Sequence, residues 1–202
     1  MFDIFVKQMG ARDTGTEQLI KDTAKRVFFA EGKLHATTQD IADAAGVTRT
    51  LLHYYFRSRD ILIEKVFREA MQELTARFDA VMGSDFLFKD KIERLIEVYL
   101  AEVTEFPYQE TFLVTEMILD PSKYHDEDES KKIKKFLKDI KDEMDAGTIK
   151  SMDPLQFAIN LFSLLTYPLL MAPLHKQMFA LTDSRYNKLI KARKQIIMDL
   201  LF

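Results

Sequence analysis

Apolar residues recur at three- and four-residue spacing along most of this 202-residue chain, which is the periodicity of amphipathic helices. The pattern predicts two short helices between residues 37 and 58 and seven longer ones, at 14–31, 60–81, 87–105, 107–119, 131–147, 154–171 and 183–202. Only six glycines and five prolines are available for turns, and strands do not alternate with helices. We therefore predict an all-α protein with about nine helices.

Two features should interrupt the helical pattern. Residues 120–130, with the sequence DPSKYHDEDES, are predicted to form a polar loop. Pro168 lies inside the apolar helix 154–171 and should kink or break it, because proline has no N–H to donate. That helix is apolar on nearly every side, so it is either buried or pressed against another subunit.

The segment TTQDIADAAGVTRTLLHYYFRSRDIL, residues 37–62, has the spacing of a helix-turn-helix. Ala42 is small enough to let the two helices cross closely, and Gly46 stands at the corner, where a positive φ favours a residue without Cβ. Five apolar positions should face the small core: Ile41, Val47, Leu52, Tyr55 and Phe56. Helices this short are not stable alone, so the helix predicted at 14–31 should pack against both of them. Such a unit presents the start of its second helix to the DNA major groove, whereas an ordinary helical hairpin is the alternative.

This segment resembles the DNA-binding part of the tetracycline-repressor (TetR) family. The matching features are Thr37, Ile41-Ala42, Ala45-Gly46-Val47, Tyr55-Phe56 and the Arg59-Asp60-x-Leu62 sequence that opens the next helix. The resemblance is strong over about residues 14–65 and extends beyond them only as a helical outline. It implies a homodimer that binds a palindromic operator in double-stranded DNA and a small-molecule effector of unknown identity. The implied domains are a DNA-binding domain at 1–58, with its motif at about 38–57, and an effector-binding and dimerisation domain at 59–202.

The candidates for DNA contact are Thr37, Thr38, Gln39, Thr48, Arg49, Thr50, His53, Tyr54 and Arg59. Thr37 is predicted to cap the first motif helix, whose N-terminus also suits a phosphate. Arg49 is the best candidate for reading a base, because its guanidinium matches O6 and N7 of guanine; contact with phosphate alone is the alternative. His53, Tyr54 and Arg59 are expected at the DNA backbone. The family usually has a phosphate-contacting tyrosine where this chain has His53.

The implied effector-binding and dimerisation domain is rich in aromatic residues, some of which suit a pocket for an apolar or aromatic effector. The candidates are Tyr99, Phe106, Phe112, Met117, Phe157, Phe162 and Tyr167, with core packing as the alternative for each. The segments 154–171 and 183–202 are the most apolar pair, and two copies would make a four-helix bundle. On the resemblance, they form the dimer interface, through Leu164, Leu169, Leu189, Ile196, Ile197 and Leu200. Filling the core of the protomer is the alternative.

Composition limits the other function classes. The chain has no cysteine and its four histidines are scattered, so no metal site and no cofactor are predicted. Residues 1–60 carry nine Lys/Arg and eight Asp/Glu, whereas residues 61–202 carry 20 and 24, so the N-terminal part of the chain is mildly basic. No signal peptide and no membrane span are predicted, which favours the cytoplasm. No Ser/His/Asp spacing or phosphate-binding glycine loop points to an enzyme.

Two hypotheses follow for function. The first is a dimeric transcriptional regulator, and specifically a repressor that a small molecule releases from its operator. The alternative is a helical protein-interaction module whose head no longer binds a specific operator. Arg49, His53 and Arg59 favour the first hypothesis, because these side chains suit contact with DNA.

Overall fold

The computed structural model describes residues 14–102, 105–124 and 127–202, and these contain ten α-helices and no strand. The all-α prediction is therefore confirmed. The chain forms two compact units, which meet in sequence between Ala70 and Met71. We call the first unit the head and the second the body.

The head is built from three helices and the start of a fourth. α1 (Thr14–Lys25) continues into a π-helical turn, and α2 (Thr38–Ala45), α3 (Arg49–Phe56) and α4 (Arg59–Met82) follow. The largest fully buried side chains of the head include Ile20, Phe28, Phe29, Ile41, Leu52, Phe56, Leu62 and Phe67. Apolar faces of all four helices therefore share one core, which stabilises helices too short to persist alone.

The head extends further along the chain than the boundary expected at residue 58. Ion pairs join α1 to the first part of α4, because Lys65 Nζ lies 2.7 Å from a Glu17 carboxylate oxygen and Lys21 pairs with Glu69. Lys65 also lies over the ring of Phe56, 5.4 Å from its centroid. These contacts, with the burial of Val66 and Phe67, place residues 59–70 in the head rather than in the body.

The body consists of the rest of α4 and six further helices. These are α5 (Phe88–Glu102), α6 (Gln109–Leu119), α7 (Glu127–Asp145), α8 (Pro154–Leu170), α9 (Ala172–Met178) and α10 (Asp183–Leu201). The main core includes Phe88, Ile92, Ile96, Phe136, Ile140, Phe157, Leu161, Leu165 and Ile197. A smaller cluster combines Leu169 with Tyr186 and Ile190.

Two elements differ from the sequence-based prediction. The polar segment 120–130 contains a short 3₁₀ turn at Pro121–Tyr124, and α7 begins at Glu127 instead of residue 131. Acidic residues are favourable in the first turn of a helix, so a run that looked like a loop suits a helix start. The short α9 was not predicted, because Pro168 and Pro173 made its segment look like the end of the preceding helix.

α8 runs through Pro168 and ends at Leu170, one residue before the predicted end, so Pro168 does not break it. Because proline has no N–H, the carbonyl of Leu164, four residues earlier, is left without its helical partner. Arg193 of α10 donates to the Leu164 carbonyl oxygen from Nε (3.0 Å) and Nη2 (2.7 Å). The helix therefore continues past Pro168 because a side chain replaces the missing hydrogen bond.

Among the described residues, no single helix is long and apolar enough to cross a membrane. Only α8 and α9 taken together reach that length and composition, and they are bent by 63° where they join.

Candidate nucleic-acid interface and body cavities

The corner between α2 and α3 has the geometry of a helix-turn-helix. Gly46 has φ of 68°, in the left-handed region, and the N–H of Val47 donates to the Ala42 carbonyl oxygen at 3.0 Å. Ala42 is completely buried, so the two helices cross closely there. The predicted inward positions Ile41, Leu52, Tyr55 and Phe56 are buried, and Val47 is partly buried.

Both motif helices begin with a threonine cap. The Thr37 hydroxyl accepts from the N–H of Asp40 (3.2 Å), and the Asp40 carboxylate accepts from the N–H of Thr37 (2.7 Å). The Thr37 hydroxyl also donates to the Asp40 carboxylate at 2.7 Å, and this bond, with that from the Thr37 N–H, holds the pKa of Asp40 below its usual range. Thr48 accepts from the N–H of Leu51 at 3.2 Å. The caps fix where each helix starts, and therefore which side chains of α3 face outward.

The outward face of α3 presents the predicted DNA-contacting side chains. Arg49, Thr50, His53 and Tyr54 are all exposed. The Tyr54 ring is held edge-on against Tyr55, with centroids 5.2 Å apart. On α2, Thr37 and Gln39 are exposed, and the Gln39 amide donates to Asp43 at 2.7 Å. Thr37, Gln39, Thr48, Arg49, Thr50, His53 and Tyr54 are therefore accessible to a partner.

Two predicted contact residues have a different environment. Thr38 is only 8% exposed, because it occupies the inward face of the first turn of α2. Arg59 points to the turn before α2 and donates from Nε to the Ala36 carbonyl oxygen (2.8 Å) and from Nη2 to that of Leu34 (2.6 Å). Arg59 thus stabilises the head, and the N–H groups left for a phosphate contact are the two of Nη1 and the second one of Nη2.

Arg57 is a cation that the sequence analysis missed. It caps the C-terminus of α3 with φ of 56°, a conformation that costs a non-glycine residue free energy. Arg57 is exposed and follows Arg49 and His53 at four-residue spacing, and we call these three residues the α3 stripe. The four-residue spacing could have identified Arg57 from the sequence, whereas its strained backbone conformation could not be predicted there.

The body encloses a cavity of about 580 Å³ between α4, α5, α6, α7 and α8, which we call the body cavity. Three of the predicted effector residues line it: Tyr99, Met117 and Phe162. Phe112 and Phe157 are buried in the protein core instead. Phe106 lines a separate cleft of about 20 Å³, and Tyr167 lines another cavity, described below. Helical periodicity in a many-helix body does not distinguish a core aromatic from one that borders a cavity.

One wall of the body cavity carries a polar cluster that the sequence did not reveal. Glu110 of α6 lies within hydrogen-bonding reach of the hydroxyls of Tyr99 and Thr166, and those two hydroxyls hydrogen-bond each other at 3.1 Å. Burial raises the pKa of Glu110 above the usual value of a glutamate, although both hydroxyl hydrogen bonds oppose the rise. Burial also raises the pKa of Tyr99. Only the packing of α5, α6 and α8 brings these three side chains together.

A second cavity, of about 570 Å³, lies along α8, α9 and α10, and we call it the α8–α10 groove. Leu164, Leu189 and Ile196 line it, and Leu200 is exposed near the end of α10. The other two predicted interface residues require correction. Leu169 (4% exposed) and Ile197 (0%) face the interior of the body, so they fill the protomer core.

The groove contains a chain of hydrogen bonds. The Tyr186 hydroxyl donates to the Pro168 carbonyl oxygen at 2.6 Å, and His175 Nδ1 lies 2.9 Å from the same hydroxyl. Because the tyrosine hydrogen is engaged with Pro168, the His175 ring donates from Nδ1. This chain ties α9 and α10 to the end of α8.

Comparison with known families matches the head. The sequence model described as "Bacterial regulatory proteins, tetR family" matches residues 20–66, which include α2 and α3. The "HTH-type transcriptional regulator BetI" of Brucella anthropi is 34% identical over 77 residues. The "HTH-type transcriptional repressor KstR2" of Rhodococcus jostii is 25% identical over 83 residues. These matches cover 38% and 41% of this chain, and the chain spans only 40% and 41% of the length of those relatives.

Solved structures resemble the whole chain. The ketosteroid transcriptional regulator KstR2 of Mycobacterium tuberculosis has a TM-score of 0.68 at 16% identity, covering 95% of this chain and 97% of its own. The fatty acid degradation regulator FadR of Bacillus halodurans has a TM-score of 0.63 at 17% identity, covering 93% and 96%. At these identities the likeness establishes the fold alone.

Proposed function

We propose that this chain is a dimeric, sequence-specific DNA-binding transcriptional regulator of the tetR family of bacterial regulatory proteins. In this proposal a small molecule changes its affinity for the operator. The observation that carries the proposal is the α3 stripe, Arg49, His53 and Arg57, on the outward face of the second motif helix. Cationic and hydrogen-bonding side chains in a row along that helix suit the major groove and its flanking phosphates.

The residues of the head divide by role. Arg49, in the first turn of α3, reads a base edge, since the N-terminal residues of a recognition helix reach deepest into the groove. His53, Tyr54 and Arg57 hold the DNA backbone, together with the capped N-terminus of α2. His53 can donate to a phosphate oxygen from a ring N–H.

Dimerisation places two heads on one palindrome. A single head buries too little surface for specific repression, so affinity and sequence choice require two half-sites. The exposed apolar side chains around the α8–α10 groove, Tyr167, Leu189, Ile196 and Leu200, suit a second copy of the same surface. Two copies of α8 and α10 then form a four-helix interface.

The body cavity is the effector site in this proposal. Met71, Leu74 and Phe78 line it from α4, the helix whose first part belongs to the head. A ligand that displaces these side chains shifts α4 and changes the spacing of the two heads. DNA and effector then oppose each other through a reciprocal coupling free energy. The names of two similar structures refer to ketosteroids and to fatty acid degradation, and an apolar effector suits the apolar walls of this cavity.

The test is fluorescence anisotropy of the full chain on DNA that flanks its own gene, over a salt series. We expect preference for one palindrome and a steep loss of affinity with salt, as phosphate contacts require. Arg49→Ala should remove sequence preference, whereas the matched variant Arg68→Ala, on the exposed face of α4 beyond the motif, should leave it unchanged. Equal binding by Arg49→Ala and the unmodified chain would contradict the proposal.

The alternative is a protein-interaction module, which would show weak binding indifferent to sequence and to Arg49. The exposed α3 stripe argues against it, because a head that had lost DNA contact would have no need of this basic row. We propose no enzymatic activity, since the matched family and relatives are transcriptional regulators. The proposal includes a cytoplasmic location, because a regulator of this kind acts on chromosomal DNA.

A further inference from the structure

We propose that the body cavity binds an apolar molecule that carries a protonated amine, with the ammonium group against the carboxylate of Glu110. The inference rests on the effector-binding role proposed above and adds the chemical class of the ligand. Three observations carry it: the apolar walls of the cavity, the hydrogen-bonding capacity of its polar cluster and the pairing of the charges around it.

The walls require a mainly apolar ligand. Side chains from five helices line a cavity of about 580 Å³, which is in the range of sites for drug-sized molecules. Leu74, Phe78, Leu113, Phe136, Leu137 and Phe162 are among them. Phe136 is edge-on to Phe78, with centroids 5.4 Å apart, and 6.3 Å from the centroid of Phe162. These rings provide aromatic faces, which attract cations more than neutral or anionic groups.

The polar cluster accepts more hydrogen bonds than it can satisfy by itself. An ionised carboxylate has about four acceptor positions, whereas the hydroxyls of Tyr99 and Thr166 carry one hydrogen each. The Tyr99 and Thr166 hydroxyls hydrogen-bond each other at 3.1 Å, which uses one of these two hydrogens, and Glu110 is within reach of the other, so none is left for an acceptor on the ligand. The group that completes this cluster is therefore a donor, and an ammonium group brings up to three donors together with a charge.

The charges around the cavity leave the carboxylate of Glu110 without a cation. Arg77 pairs with Glu102, and Lys132 pairs with Asp79 at 2.8 Å. The hydrogen-bond partners of Glu110 are both hydroxyls. Among the described lining residues, its charge is thus balanced by no other side chain, and a partly buried carboxylate without a cation is costly. A cationic ligand removes that cost, whereas an anionic ligand adds repulsion.

Three probes with the same apolar chain separate the head-group chemistries: decylamine, decanol and decanoate. Binding to the full chain is measured by isothermal titration calorimetry at pH 7.5, below the micellar concentrations and without DNA. Decylamine is protonated at this pH, as lysine is. We expect decylamine to bind at least about tenfold more tightly than decanoate, with decanol between them.

Two variants assign the preference to this site. Glu110→Gln keeps the shape of the side chain and removes its charge, so it should abolish the preference for amine and leave decanol affinity within about threefold. Ile159→Trp, at a partly exposed lining position, should weaken all three probes because it fills the cavity. The circular dichroism spectrum and Tm of each variant show whether it is folded.

Several outcomes overturn the inference. Decanoate binding as tightly as decylamine would mean that Glu110 is neutral and donates to the ligand. An amine preference that survives in Glu110→Gln would place the recognition elsewhere, and failure of all three probes to bind would remove this ligand class. Since no DNA is present, these results stand apart from the operator test: a chain that binds amines but no palindrome would retain the ligand class and lose the regulatory function.

Discussion

Arg193 donates two hydrogen bonds to the carbonyl oxygen of Leu164, the one carbonyl of α8 that Pro168 deprives of its helical partner. The interaction joins α8 to α10 at the wall of the α8–α10 groove. It explains why an apolar helix with an internal proline stays regular to Leu170. It also places a partly buried cation in an otherwise apolar region.

Replacing Arg193 by Met should therefore reduce the free energy of unfolding by about 1–3 kcal/mol, because a partly buried carbonyl is left without a donor. In a Pro168→Ala background the helix has its own N–H for Leu164, so the same replacement should cost about 1 kcal/mol less. Urea unfolding followed by circular dichroism, at one protein concentration, gives all four values. Additive effects of the two substitutions would show that Arg193 does not compensate for the proline.

Replacing Arg57 and Arg59 by Ala should affect different properties of the protein. Arg59→Ala removes hydrogen bonds to Leu34 and Ala36 and should destabilise the head by about 1–3 kcal/mol. Arg57→Ala removes no such bond and should change stability by less than about 0.5 kcal/mol, while it weakens DNA binding and lowers the salt slope by about one. Urea unfolding and salt-dependent anisotropy measure both quantities. Loss of stability in Arg57→Ala with unchanged DNA affinity would reverse the assignment.

The stability contributed by Glu110 should fall as pH rises. Burial raises the pKa of Glu110 in the folded state above the unfolded value, so the folded state holds this proton more tightly. The contribution is present below the unfolded pKa and is lost as pH passes through the folded pKa. Glu110→Gln should therefore gain stability relative to the unmodified chain as pH rises above the unfolded pKa of a glutamate, as measured by urea unfolding at several pH values.

Glu97 provides the control of opposite sign. Hydrogen bonds from Lys194 and then Arg94 lower the pKa of Glu97, so its contribution is present above the unfolded pKa and is lost as pH falls. Glu97→Gln should lose stability relative to the unmodified chain as pH rises, by less than a buried group would, since this carboxylate is close to solvent. A parallel pH trend in both variants would contradict the assignment for Glu110.

If the α8–α10 groove forms the dimer interface, a variant that disrupts it should lower the mass of the assembly in solution. Ile196→Glu places a charge on a groove residue that is 48% exposed in the protomer, so it should favour the monomer without disturbing the core. Leu119→Glu, at an exposed position on α6, is the control and should leave the assembly unchanged. Sedimentation equilibrium measures both. A dimer that persists in Ile196→Glu would require another interface.

The head could be predicted in detail because its signals are local. The Thr37 cap, the left-handed Gly46 and the inward Ile41, Leu52 and Tyr55 depend on neighbours a few residues away, and the structure confirms each of them. Side-chain direction at Arg59 is different. Its hydrogen bonds reach residues 23 and 25 positions earlier, so no local pattern reveals whether it faces DNA or the protein.

In the body, helical periodicity was enough to predict the number of long helices and their apolar faces, because it depends only on residue type and spacing. Periodicity did not show which helix faces pack against each other. Ile196 and Ile197 are adjacent and equally apolar, yet only packing makes the first exposed and the second core. Likewise, Glu110, Tyr99 and Thr166 lie on three helices, and tertiary structure alone brings them to one wall of the body cavity. Periodicity fixes the direction of a side chain around its own helix axis, whereas its neighbours depend on how the helices assemble.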